Sequence, residues 1–145
     1  MPNGVEAPRW FADSRRIAFI TSIWTDLVRW EDQAKRMKDR ADSKMTGRVW
    51  TRAPIAYWDH LLDDTERHLY SIDINGGEPV AITRLSGYAL QKQEVDEYSY
   101  DISPDGDEVA FQANIDKTGT DPNYDIITIP SCGCKPPKDV TADSK

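Results

Sequence analysis

The sequence predicts an all-β protein: a partial β-propeller of about two blades, each a four-stranded antiparallel sheet, with one helical insertion. Two observations predict this fold. A strand-and-turn pattern occurs twice in the 145 residues, at 10–19 and at 102–111, and a second strand, turn and short strand follow each copy. A repeat of this kind cannot bury its apolar face alone, so we expect stacked sheets rather than a single closed core.

The first half of each repeat is a polar turn followed by a short apolar run. Residues 17–20 (IAFI) and 109–111 (VAF) are β-branched and aromatic, as expected for strands largely buried between neighbouring sheets. Pro104 presets φ and Gly106 accepts a positive φ, so this segment predicts a tight hairpin. The first copy has Ala12-Asp13-Ser14 instead, which predicts a weaker turn of the same polarity.

The second half of each repeat is a strand, a glycine turn and a short closing strand. The predicted strands lie at 68–74 and 125–129, and the closing pieces at 80–83 and 138–141. The equivalent residues Phe19 and Phe111 are 92 positions apart, whereas Leu69 and Ile126 are 57 apart, so the first copy carries an insertion of 35 residues. We therefore expect blade material at 8–83 with a helical insertion near 26–47, a next blade at 99–141, and the truncated start of a following blade at 142–145.

The insertion reads as an amphipathic helix followed by an aromatic strand. Asp26 can cap its start and Gly47 can end it. Pairs four residues apart, Glu31 with Lys35 and Asp32 with Arg36, indicate a solvated charged face. We expect Trp58, which follows in the aromatic strand, to be buried between blades. The apolar positions recur at steps of three or four: Leu27, Trp30, Ala34, Met37, Ala41 and Met45.

Composition excludes several classes of protein. The formal net charge of −7, with 39% hydrophobic and 30% charged residues, is typical of soluble globular proteins. Alternating charge signs and overall acidity argue against a nucleic-acid surface. No apolar run reaches the roughly 18 residues that a membrane span needs. Residues 1–6 show no signal-peptide pattern, and the composition is compatible with a cytoplasmic or an exported parent.

No residue is predicted to be catalytic, to ligate a metal or to hold a cofactor. The Gly-x-Ser-x-Gly elbow of serine hydrolases is absent, and His60 beside Asp59 lacks a partner serine. No phosphate-binding glycine loop occurs. Cys132 and Cys134 lie far in sequence from the histidines, which argues against zinc. We expect both to be free thiols, because a disulfide between residues two apart would be strained.

Several motifs resemble one enzyme family. Residues 103–106 (SPDG) followed by 109–111 (VAF) resemble the propeller-blade signature of the prolyl oligopeptidase family and of TolB-like proteins. The stretches 57–60 (YWDH), 63–70 (DDTERHLY), 73–77 (DINGG) and 82–83 (IT) resemble the propeller of bacterial acylaminoacyl peptidases and dipeptidyl aminopeptidases. Residues 121–126 with 140–141 are similar to the following blade in that subfamily.

The resemblance covers residues 8–141 and implies the non-catalytic part of a serine peptidase. In that family a propeller restricts entry to an α/β-hydrolase domain that carries the catalytic triad, and it admits short peptides. The implied partners are that missing C-terminal domain and a peptide substrate. Acidic side chains of a helical insertion hold the substrate's amino terminus in some members, which makes Glu31 and Asp32 the candidate substrate-binding residues. The alternative is a TolB-like protein-interaction propeller without catalysis.

Overall fold

The computed structural model describes residues 1–44, 47, 49–50, 55–92, 95–116, 118 and 120–142, with only the backbone at 57 and 60. Within these residues the chain forms two four-stranded antiparallel sheets, one helix and one short hairpin. The prediction of an all-β protein with one helical insertion is confirmed. Met45 and residues 143–145, on which parts of the predicted helix and of the following blade fall, lie outside the described residues.

Each sheet has two long inner strands flanked by two shorter outer strands. The first sheet has the order β1-β2-β5-β6 and the second has the order β7-β8-β9-β10. The helix and the β3–β4 hairpin are inserted between the neighbouring strands β2 and β5. In chain order the elements are β1 (Glu6–Trp10), β2 (Arg16–Ile23), α1 (Trp30–Asp42), β3 (Ala56–Tyr57), β4 (His60–Leu61), β5 (Glu66–Asp73), β6 (Val80–Ala81), β7 (Tyr100–Ile102), β8 (Glu108–Asn114), β9 (Tyr124–Pro130) and β10 (Lys138–Asp139).

The two sheets repeat the same turn between their first and second strands. In the first sheet, Asp13 Oδ1 accepts the amide of Arg15 at 2.8 Å, and Ser14 takes a φ of 54°. In the second, Asp105 Oδ1 accepts the amide of Asp107 at 3.0 Å, and Gly106 takes a φ of 77°. An aspartate accepting the amide two residues later is a standard way to close such a turn. The weaker turn predicted for the first copy therefore has the same hydrogen bond as the second.

In both sheets, a threonine that follows the short outer strand accepts a hydrogen bond from an amide of the neighbouring inner strand. Thr83 Oγ1 accepts the amide of Leu69 at 2.9 Å and lies 3.1 Å from Nδ1 of the buried His68. Thr141 Oγ1 accepts the amide of Ile126 at 2.8 Å and donates to Oδ1 of Asp125 at 3.0 Å. The hydroxyl thus replaces a ladder hydrogen bond where the short fourth strand ends.

The two sheets pack against each other with their equivalent faces pointing in the same direction. In the first sheet, Leu69 is fully buried against the second sheet, whereas Tyr70 lies on the opposite face. In the second sheet, Ile127, the equivalent of Tyr70, faces the first sheet, and Ile126, the equivalent of Leu69, is 39% exposed. The front face of one sheet therefore contacts the back face of the other, and a contact of this kind can be repeated to add further sheets.

Tyr100 joins the sheets at their buried seam. Its ring is 2% exposed, and its hydroxyl donates to the carbonyl oxygens of Ala7 at 2.7 Å and Ala18 at 3.1 Å in the first sheet. Arg9 donates to the Tyr100 carbonyl at 2.7 Å and pairs with Asp101 at 2.9 Å. Burial raises the pKa of Tyr100, so the hydroxyl remains a donor at all physiological pH values.

The helix differs from its prediction in length and in buried face. It begins at Trp30 with Arg29 as N-cap, not at Asp26, and it ends at Asp42, before Gly47. The reason is Gln33, the one buried residue of the helix. Its side chain accepts the Trp24 amide at 3.0 Å and donates to the Trp24 and Leu27 carbonyls at 2.8 and 2.9 Å, which holds residues 24–27 outside the helix.

The apolar stripe and the ion pairs predicted for the helix are also not found. Ala34, Met37 and Ala41 are exposed. Leu27, which lies outside the helix, is half-buried, and Trp30 is partly buried against the first sheet. Arg36 pairs with Asp26 at 2.8 Å, because Asp26 lies beside the helix rather than at its start.

Two further predictions are wrong. Trp58 is 83% exposed, because it sits with a φ of 52° in the two-residue turn of the β3–β4 hairpin, away from both sheets. Cys132 and Cys134 form a disulfide rather than free thiols. Gly133 takes a φ of 59° between them, and this turn brings the two Cα atoms to 5.1 Å, a separation that a disulfide can span.

Replacing Tyr100 with Phe tests the polar tie at the seam. The Tyr100→Phe variant removes the donor to the buried Ala18 carbonyl and the part-buried Ala7 carbonyl, so we expect a loss of about 1–3 kcal/mol in the free energy of unfolding. Tyr98→Phe is the control, since Tyr98 is 84% exposed. Urea unfolding measures both, and equal stabilities would contradict the tie.

Gly76 and Gly133 occupy equivalent positions in the last turn of each sheet. Substituting each with alanine tests whether the turn between β9 and β10 packs on β6. Both have positive φ, so alanine at either site costs about 1–2 kcal/mol of backbone strain. A Cβ at Gly76 meets nothing, whereas one at Gly133 would overlap the Ala81 carbonyl oxygen. We expect Gly133→Ala to lose at least about 1 kcal/mol more than Gly76→Ala in urea unfolding. Equal losses would mean that the turn is not packed.

Candidate functional site

A groove of about 370 Å³ lies beside the first sheet, where the start of α1 crosses β5 and the turn before β6. We call it the insertion groove. It exists because the insertion folds back over the face of the first sheet that points away from the second sheet. Its lining residues are Val28, Arg29, Trp30, Glu31, Tyr70, Glu78, Pro79, Ala81 and Arg84.

Two aromatic rings form one wall of the insertion groove. Trp30, at the start of α1, meets Tyr70 of β5 edge to face, with ring centroids 5.2 Å apart. Tyr70 also stacks with Phe19 of the neighbouring strand β2 at 6.2 Å. Burial raises the pKa of Tyr70, which keeps its hydroxyl protonated at neutral pH. The wall is therefore rigid and apolar, with one polar hydroxyl.

Two glutamates line this groove. Glu31, one of the predicted substrate-binding residues, lines it from the first turn of α1, and Glu78 lines it from the turn before β6. Neither makes a hydrogen bond or ion pair with any other residue in the described part of the chain. Arg84 also lines the groove, and it is anchored by weak hydrogen bonds to the carbonyls of Thr25 at 3.3 Å and Leu27 at 3.4 Å.

Asp32, the other predicted residue, is already engaged. Arg29 donates to both of its carboxylate oxygens, at 2.9 and 3.0 Å, and this pairing lowers the pKa of Asp32. The predicted partner of Asp32, Arg36, pairs with Asp26 instead. The two neighbouring candidates are thus separated: Glu31 is available to a ligand in the groove and Asp32 is not.

This combination suits a small ligand with a primary ammonium group. Ammonium is attracted by carboxylates and by the faces of aromatic rings, and the groove offers both. The guanidinium of Arg84 can in addition pair with a carboxylate on the same ligand. The groove therefore has the chemistry to hold a zwitterion such as a short peptide.

A second cluster of charges surrounds Trp24 and is structural. The indole of Trp24, 5% exposed, donates to Asp64 at 2.9 Å, and Arg40 binds the same carboxylate through both of its terminal nitrogens. Burial opposes ionisation of Asp64, but these hydrogen bonds outweigh it and lower its pKa. Arg36 and Arg40 lie over the Trp24 ring at 5.7 and 5.0 Å. A cleft of about 610 Å³ adjoins the cluster, but every charge in the cluster is paired.

Sequence reasoning missed Glu78 and Arg84. They follow β5 and β6, and their approach to α1 depends on how the insertion folds over the sheet, for which no local pattern exists. In the described residues, no three His, Cys, Asp or Glu side chains gather as metal ligands would. The side chain of His60 lies outside that part of the structure.

No helix among the described residues has the length and apolar character to cross a bilayer. Comparison with known proteins found no protein-family model that matches this chain and no curated protein that matches it.

Trp24 and Trp58 provide a matched test of the packing around the insertion. Trp24→Ala removes a buried ring and leaves Asp64 without its indole donor, so we expect a loss of about 3–5 kcal/mol in unfolding free energy. Trp58 is 83% exposed, so Trp58→Ala should lose less than about 1 kcal/mol. Chemical denaturation followed by circular dichroism measures both, and the reverse order would contradict this placement of the insertion.

Proposed function

We propose that this chain is a non-catalytic, propeller-type segment of a serine exopeptidase or oligopeptidase. In this role it forms part of the wall through which short peptides reach a separate α/β-hydrolase domain. It supplies shape and one binding groove rather than bond-breaking groups.

The front-to-back packing of two equivalent sheets is the observation that carries this proposal. A sandwich related by two-fold symmetry would bury the same face of both sheets. Here the face with Leu69 in one sheet meets the face with Phe111 and Ile127 in the other. Front-to-back contacts either close into rings or continue as open stacks, and four-stranded antiparallel units that pack this way are the units of propellers.

The insertion groove supports the peptide part of the proposal. Glu31 and Glu78 lie beside an aromatic wall and make no hydrogen bond or ion pair within the described part of the chain. A peptide with a free amino terminus offers the ammonium group that such a site attracts. The groove opens on the side of the first sheet away from the second, so a bound peptide would contact the insertion and β5 together.

Peptide binding tests the groove. We expect glycyl-phenylalanine to shift the Trp30 indole resonance in NMR titrations, and its N-acetyl derivative to bind much more weakly. Glu31→Gln should weaken binding about fivefold, equivalent to about 1 kcal/mol, the upper end for one exposed ion pair. Asp32→Asn is the control, because Arg29 already occupies that carboxylate. Equal binding of the free and acetylated peptides would contradict the proposed ammonium site.

The parent polypeptide tests the peptidase assignment. We expect the gene to continue beyond Lys145 into a domain with a Gly-x-Ser-x-Gly elbow followed by Asp and His. We also expect the 145-residue chain alone to release no product from aminoacyl or acylaminoacyl substrates. Hydrolysis by the purified chain would refute a non-catalytic role. A parent that ends after a few more blades would instead favour a TolB-like interaction propeller.

A further inference from the structure

The turn between β9 and β10 carries the feature that the proposed function leaves unused. Cys132 and Cys134 are joined by a disulfide that spans a single residue, Gly133. Both cysteines are exposed, so a small molecule in solution can reach the bond. The amide of Cys134 donates to Sγ of Cys132 at 3.3 Å, which makes the two sulfur atoms chemically different.

This turn lies at the seam between the two sheets. Gly133 packs so closely on β6 of the first sheet that a Cβ would overlap the Ala81 carbonyl oxygen and press on Ile82. Ser131, at the start of the turn, donates to the Gly106 carbonyl at 2.7 Å. The disulfide therefore closes a turn that contacts the neighbouring sheet, and it does not lie on a free loop.

The fold does not need this disulfide to form the turn. The equivalent turn of the first sheet, Asn75-Gly76-Gly77, has no cysteines. In both turns the glycine amide donates to the carbonyl three residues earlier, Gly76 to Asp73 at 2.9 Å and Gly133 to Pro130 at 2.8 Å, so a backbone hydrogen bond closes each turn. The stabilisation that a cross-link gives by constraining the unfolded chain is smaller when the enclosed loop is shorter. A bond around one residue therefore contributes the least to folding.

We propose that Cys132 and Cys134 form a reversible dithiol–disulfide site that exchanges with low-molecular-weight thiols of the glutathione class. Exposed disulfides are the ones that such thiols reduce, whereas structural disulfides in folded domains resist them. This inference is independent of the peptidase proposal. The disulfide lies on the side of β6 that faces the second sheet, whereas the insertion groove lies on the other side, and the exchange involves no peptide.

The exchange proceeds in two balanced steps. A thiolate attacks Sγ of Cys134, forming a mixed disulfide, while the bond to Cys132 breaks and its electron pair leaves Cys132 as a thiolate. A second thiolate attacks the sulfur of the small molecule in that mixed disulfide, which releases the small-molecule disulfide and a thiolate on Cys134. The small thiol is oxidised, the protein disulfide is reduced, and both cysteine thiolates take protons from water.

The hydrogen bond between the two cysteines selects the direction of attack. The Cys134 amide can stabilise negative charge on Sγ of Cys132, because a charged acceptor strengthens the bond. Cys132 is therefore the better leaving group and Cys134 the site of attack. Reduction leaves the hydrogen bond from Gly133 to Pro130 in place but removes the cross-link, so we expect the turn to pack less rigidly on β6.

Redox titration of the folded protein tests the site. The protein is equilibrated with reduced and oxidised glutathione in different ratios, quenched with acid, alkylated and weighed by mass spectrometry. We expect two alkyl groups in reducing buffer, none in oxidising buffer, full reversal between them, and an unchanged far-ultraviolet spectrum. Reduction only after unfolding in urea would overturn the proposal, as would two free thiols under oxidising conditions.

Hydrogen exchange measures how reduction of the disulfide affects the contact between the two sheets. Reduction should raise deuterium uptake severalfold in peptides that cover residues 130–136 and 79–84, and leave peptides of the β2–β5 pair unchanged. The double variant Cys132→Ser/Cys134→Ser should exchange like the reduced protein under all conditions. Identical uptake in the two redox states would overturn the proposed effect on this contact.

The single variants test the difference between the two sulfur atoms. In Cys134→Ser the remaining Cys132 keeps a backbone amide donor, whereas in Cys132→Ser the remaining Cys134 has no donor among the described residues. We expect iodoacetamide at neutral pH to alkylate Cys134→Ser severalfold faster than Cys132→Ser. Equal rates, or the reverse order, would overturn the assignment of Cys132 as the leaving group.

Discussion

The apolar seam between the two sheets is the contact on which the rest of the structure depends. Leu69 and Ile82 from the first sheet meet Phe111, Ile127 and Ile129 from the second, and all are at most 2% exposed. Each fully buried side chain of this size contributes roughly 1.5–3 kcal/mol. Neither four-stranded sheet has another large partner for this face among the described residues, so each requires the other. Tyr100 adds hydrogen bonds between the sheets, and these define how the sheets align.

The direction of stacking determines where a binding site can form. Because the sheets pack front to back, the first sheet directs Phe19 and Tyr70 away from the seam. The insertion covers this face with Trp30, but it leaves room for the groove that contains Glu31. The second sheet directs its other face, including Ile126, toward solvent. The front-to-back packing thus explains why the outer face of the first sheet is covered by the insertion, with a groove, and why the outer face of the second sheet is open to solvent.

Only half of the candidate site could be predicted from the sequence. Glu31 stands out as an acidic residue on an inserted helix, and the groove does include it. Asp32 looked equivalent, but Arg29 sits three residues before it and binds both of its oxygens. Glu78 comes from a glycine-rich turn distant in sequence. Such a turn shows that the chain reverses direction, but not which helix lies beside it.

The sequence by itself determined the repeated strands and their turns, because these depend on local properties. Asp13 and Asp105 close their turns through amides two residues away, and β-branched runs need only a neighbouring strand. Only the tertiary structure decided the start of the helix, the exposure of Trp58 and the pairing of Cys132 with Cys134. Gln33 competes for the backbone of Trp24, and a turn with positive φ at Gly133 brings two sulfur atoms together. The start of the helix depends on packing between segments, and the other two outcomes depend on the backbone conformation of a turn; residue spacing alone encodes neither.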